Sequence, residues 1–226
     1  MTRNLLLAAL FLLLTGCSRY QYLFVDSHLY QDDKKEFIAE NDTVMLSYSF
    51  NGDNFPITLE IHNKITIPIY IDWSKSAVVI NDYQDNGLFD TDSKTSVISP
   101  GSTVVLTSYP MKDQFFDPDI NDPRIKVSLT AGSMKGVRYT YDETSTPFFF
   151  TNILALTIHD DLSSPAFYEN SFWVSDIIKS NAGPDFITYK PMNQSTIRKD
   201  TGFGTAMRWT TTLAALVILE AITGGY

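Results

Sequence analysis

The chain of 226 residues has one cysteine, Cys17, and three histidines, His28, His62 and His159. A lone thiol forms no intrachain disulfide and supplies no thiolate set for a structural zinc site. The histidines are far apart and show no metal-ligand spacing. Basic residues are also scarce: 17 Lys and Arg stand against 26 Asp and Glu, giving a net charge of −9 and a pI near 4.7. That balance argues against nucleic acid as a partner and against electrostatic adhesion to anionic lipid. There is no Gly-x-Ser-x-Gly elbow, no P-loop and no dinucleotide-binding glycine pattern. No apolar run reaches the roughly 20 residues of a spanning helix. What is present is an apolar complement of 44%, with 13% aromatics, enough to build a core by packing alone.

The N-terminus carries the most specific signal. Arg3 is followed by the apolar run Leu5 to Leu14, then by Thr15, Gly16 and Cys17. A run this short reads as the h-region of an export signal. The order Leu14-Thr15-Gly16-Cys17 resembles the lipobox of bacterial lipoproteins. The resemblance implies removal of residues 1–16, a diacylglyceryl thioether on Cys17 and a further acyl chain on its new amine. Cysteine suits that chemistry because its thiolate is a strong nucleophile. Each buried methylene contributes about 0.8 kcal/mol, and stable anchoring takes more than one chain. The covalent lipid on Cys17 is the one attached group expected; no cofactor is. Ser18 resembles the residue that permits outer-membrane delivery, and Arg19 stands where surface-exported lipoproteins carry acidic residues. The expected location is therefore the periplasmic face of the outer membrane. Residues 17–40, beginning with the tyrosine-rich Ser18 to Tyr30, read as a lipidated tether.

From residue 41 to 181 the pattern is that of strands. Val44, Leu46, Tyr48 and Phe50 alternate with polar Ser47 and Ser49. Ile57, Leu59 and Ile61, then Ile65, Ile67, Ile69, Ile71 and Trp73, keep one apolar parity, a pair of strands interrupted at Asn63-Lys64 by a tight turn or bulge. Pro68 belongs at an edge or bulge. Shorter strands are predicted at Ala77 to Ile80, Val104 to Leu106, Ile125 to Leu129, Phe148 to Ile158 and Phe172 to Ile178. Residues 182–206 read as loop. Met207 to Ile222 reads as a helix that is apolar on every face from Leu213 to Leu219, within a tail running to Tyr226; it is open to a second membrane contact, to packing on the sandwich or to a partner's groove. The fold class expected is all-β, an antiparallel Ig-like β-sandwich with a lipidated N-terminal tether and one C-terminal hydrophobic helix.

A second likeness lies inside the β-region. Ile67-Pro68-Ile69-Tyr70-Ile71-Asp72-Trp73-Ser74-Lys75-Ser76, with Ser99-Pro100-Gly101-Ser102, Thr146-Pro147-Phe148 and Phe172-Trp173-Val174-Ser175, resembles a group of uncharacterised envelope lipoproteins. The resemblance implies a β-sandwich and no activity. Trp73 continues the buried face, and Lys75 turns outward as the strand ends.

Candidate chemistry is sparse. His159-Asp160-Asp161 invites comparison with a hydrolase triad but lacks a nucleophile elbow. Asp82, Asp85, Asn86, Asp90 and Asp92 offer hard oxygens for calcium, though without the EF-hand order. Asp117, Asp119, Asn121 and Asp122 form a second acidic loop. The expectation is a non-enzymatic accessory or scaffolding lipoprotein that binds the bilayer through Cys17 and an envelope protein through Trp209, Leu213, Leu216 and Val217. The alternative is a ligand-binding or hydrolytic protein using loops 81–96 and 111–123.

Overall fold

The structure, a computed structural model, describes residues 18–81, 83–85, 95–110, 115–119, 121–128, 135–181, 183–184 and 193–200. Among them there is no α-helix, and sixteen strands follow one another. They begin with β1 (Ser18–Ser27), β2 (Tyr30–Gln31), β3 (Phe37–Glu40), β4 (Val44–Ser49), β5 (Gly52–Asp53) and β6 (Ile57–Asn63). Next come β7 (Ile69–Asp72), β8 (Ala77–Ile80), β9 (Tyr83–Asp85), β10 (Thr95–Ile98) and β11 (Thr103–Ser108). The series ends with β12 (Arg124–Ser128), β13 (Lys135–Thr140), β14 (Phe149–Thr157), β15 (Ala166–Ser180) and β16 (Gln194–Asp200).

Two sheets face each other. The smaller has the order β11-β6-β4-β3-β2. The larger has the path β10-β7-β14-β15-β1-β16-β5, with β8 and β9 attached to β14, and β13 and β12 attached to β15. Every pairing is antiparallel except that of β16 with β5. The inner faces follow the period of two. Val44, Leu46, Tyr48, Leu59 and Ile61 of the small sheet share one core with Leu23, Ile71, Phe150, Phe172 and Val174 of the large one.

Phe172 is the centre of that core. Its ring lies 4.8 Å from Tyr48, 5.1 Å from Phe50, 5.2 Å from Phe150 and 5.7 Å from Phe37. Ring pairs of this kind contribute about 0.5–1.5 kcal/mol each beyond area burial. A polar bridge crosses the same interface. The Tyr48 hydroxyl donates to Asn152 Oδ1 at 3.1 Å and accepts from Asn170 Nδ2 at 2.9 Å.

Three sequence expectations change. Ser18 to Tyr30 is not a tether: β1 is an interior strand, paired with β15 on one side and β16 on the other. The reason is that both of its parities are apolar, so Tyr22 and Leu23 are each buried. Residues 182–206 are not all loop, since β16 completes the second side of β1. The isoleucine run does not make a neighbouring pair of strands. β6 belongs to the small sheet and β7 to the large one, so residues 64–68 carry the chain across the sandwich. Asn63 fixes the crossing, its amide donating to Ile67 O at 2.8 Å and Ile98 O at 3.0 Å. Ile67 itself is exposed. β8 matches its predicted range, and β4, β6, β11, β12 and β14 match to within a few residues.

Candidate functional site

The sheet end where β1 begins and β16 finishes is the part of the fold nearest the sequence-predicted sites. Ser18 is directly opposite Asp200 across that ladder. Cys17 precedes Ser18 by one peptide unit, about 3.8 Å between α-carbons. Residues 1–17, with Cys17, lie outside the described residues, as do Trp209, Leu213, Leu216 and Val217 and the helix expected around them. Covalent connectivity nevertheless brings the acylation candidate and the start of the C-terminal segment to one end of one rigid sheet.

The strand motif at 67–76 forms a clasp. Asp72 is buried, and its carboxylate accepts from the Ser74 N–H at 3.0 Å and pairs with Lys75 Nζ at 2.9 Å. The Asp72 carbonyl accepts from the Ser76 hydroxyl at 2.8 Å, and that hydroxyl in turn accepts from the Ala155 N–H at 3.0 Å. Burial raises the Asp72 pKa, but the bonds from Ser74 and Lys75 outweigh it and hold the carboxyl below its ordinary value. Trp73 is buried and donates from Nε1 to Ser96 Oγ at 2.9 Å. The motif thus ties β7 to β10 and β14, and Asp72, Trp73, Ser74, Lys75 and Ser76 each have a structural partner.

The acidic candidates divide. Asp82, Asn86, Asp90 and Asp92 lie outside the described residues, and of Asp85 only the backbone, in β9, is described. In the second loop, Asp119 Oδ1 accepts from Asn121 N at 2.8 Å, and Asp122 Oδ2 accepts from the Tyr141 hydroxyl at 3.0 Å. Burial, and then the Asp122 carboxylate, push the Tyr141 pKa upward. No group of three metal-ligating side chains converges among the described residues.

The histidines stay apart. His28 bonds Glu143 at 2.8 Å beside the Trp173 ring, and His62 Nδ1 bonds Thr103 Oγ1 at 3.0 Å. Asp161, next to His159-Asp160, accepts from the Ser163 N–H at 2.9 Å; the Ser163 side chain first, and then that N–H, hold its carboxyl below the ordinary value.

What sequence reading missed at this end is charge. Arg19 of β1 and Lys199 of β16 are directly opposite one another, a pairing visible only once β16 is known to be a strand. Compared with known proteins, the chain matches no family model, no curated protein and no solved structure.

Proposed function

We propose that this chain is a non-enzymatic lipoprotein of the outer membrane, anchored at the periplasmic face through acylated Cys17, and an accessory or scaffolding subunit of an envelope assembly. The observation that supports it most is the pairing of Ser18 with Asp200. An acyl group on Cys17 is then one residue from an interior strand, so the domain rests against the bilayer instead of swinging on a leash. The hydrophobic segment that follows starts from the same place. Trp209 is nine residues beyond Asp200, which limits it to about 30 Å from the sheet end even in extended chain. The docking residues Trp209, Leu213, Leu216 and Val217 therefore act near the membrane surface, where an integral envelope partner presents its own chain. The Ig-like class rests on the two facing antiparallel sheets.

Intact-mass measurement on protein from native membranes tests this. The expected species begins at Cys17 and carries two or three acyl chains. A mature polypeptide without acyl mass, or with residues 1–16 still attached, overturns the reading.

A further inference from the structure

Toward the Ser18–Asp200 end, the inner face of the large sheet changes character. It is apolar at Leu23, Ile177 and Ile197. Gln21 lies opposite Ile197 on β16 and opposite Lys179 on β15. Val137 is opposite Lys179 on that strand's other side, and Lys126 is opposite Val137. Directly opposed residues share a face, and so do residues two apart on a strand. Lys126 and Lys179 therefore form one row, and Arg19, Lys199 and Lys135 lie one step further on the same face. Like charges directly opposite each other, as Arg19 and Lys199 are, destabilise a ladder unless an anion lies between them.

These side chains enclose a cleft. Among the described residues, Arg19, Lys126, Lys135 and Lys179 line a cavity of about 520 Å³ together with one carboxylate, Asp117. Asp117 pairs with Lys179 at 3.2 Å, whereas Arg19, Lys126 and Lys135 make no ion pair among the described residues. The Phe115 ring is part of the wall, 5.8 Å from Lys179 Nζ and 5.4 Å from Lys199 Nζ. Its position is set by buried Gln21, whose amide donates to the Phe116 carbonyl while Oε1 accepts from the Phe116 N–H at 2.8 Å. The chain as a whole carries a charge of −9, so four cations beside one carboxylate form a local reversal of sign.

We propose that this cleft binds the phosphate of an anionic phospholipid headgroup in the membrane that holds Cys17. The inference rests on the anchor proposed above. Arg19 follows Cys17 by two residues, at most about 7 Å of chain. That is inside the Debye length of about 8 Å at physiological salt. Headgroups around the anchor are therefore held at the cleft, where a soluble phosphate has only its bulk concentration. The acidic composition conceals this contact because the repelling carboxylates lie elsewhere on the molecule.

The test uses the full acylated chain on three preparations: phosphatidylcholine vesicles, vesicles of two parts phosphatidylcholine to one of phosphatidylglycerol, and phosphatidylcholine vesicles with millimolar inorganic phosphate. Amine acetylation of Lys126 and Lys135 is followed by mass spectrometry, with exposed Lys34 as the internal reference. Anionic vesicles should slow labelling of both lysines about fivefold at low salt, and high salt should restore it. Equal rates on neutral and anionic vesicles, with the protein floating on both, overturn the cleft and leave the anchor standing. Equal slowing by inorganic phosphate overturns the lipid as source. Failure to float on neutral vesicles overturns the anchor, and with it the lipid source.

Discussion

Phe172 shows what a single residue contributes here. Four aromatic rings from both sheets meet its side chain, which is fully buried. Phe172→Ala should destabilise the domain by about 3–5 kcal/mol, read as a lowered midpoint in urea unfolding. Tyr48→Phe keeps the ring but strands Asn152 and Asn170 without their shared hydroxyl, and should cost about 1–3 kcal/mol in the same measurement. Asp72 has a pH signature. Its carboxyl titrates below the ordinary value in the folded state, so its stabilising effect is complete above about pH 4 and is lost as pH falls through the lowered folded value. Asp142, held to about 2 chiefly by the Thr144 hydroxyl and then by Ser145, adds to the same acid-side slope. Asp72→Asn should lower the melting temperature at neutral pH and flatten its fall below pH 4, both readable by calorimetry. The roles of Trp73 and Lys75 were legible in the sequence because a strand parity ends at them. The clasp built by Asp72, Ser74 and Ser76 was not, because it needs Ala155, 79 residues beyond Ser76.

At the scale of elements, legibility followed parity. β6 alternates cleanly between buried and half-buried residues, and β4 does so except at Ser47, which is buried on the other face. β15 was only half visible because its parity breaks. Phe24 is opposite Asp176 but Val25 is opposite Val174, so Ser175 is an extra residue. Phe172 and Val174 face the core on even numbers, and beyond the bulge Ile177 faces it on an odd one. Read as a single alternation, Phe172 to Ile178 looks like a short stretch; it belongs to a strand of 15 residues. β1 was concealed differently. A strand flanked on both sides and covered on both faces has no polar parity, and without alternation its tyrosines look like a sticky linker. The two readings of β1 differ in hydrogen exchange. Amides from Gln21 to Phe24 should be among the slowest in the chain, exchanging with the β15 amides and not with a flexible N-terminus; exchange within seconds would contradict the interior strand.

At the scale of the whole molecule, the ladder that closes β1 onto β16 decides how the C-terminal segment relates to the fold. β16 contributes Ile197 to the core, whereas the residues proposed for docking begin nine positions after its last residue. The described sheets are complete at Asp200, with both edges of β1 already paired. A truncation that removes residues 207–226 therefore leaves every described strand and its partner in place. The shortened chain should keep its β-type circular dichroism and its urea midpoint within about 0.5 kcal/mol of the full chain, the range expected when no core contact is lost. It should also still float with membranes through Cys17, but lose the proteins that co-purify with the full chain from native membranes. If the midpoint instead falls by several kcal/mol, Leu213, Leu216 and Val217 pack on the sandwich and supply core in place of a docking surface. Truncation within β16, before Ile197, is the matching control. It removes a core side chain and exposes an edge of β1, so it should unfold the domain whichever role the tail plays.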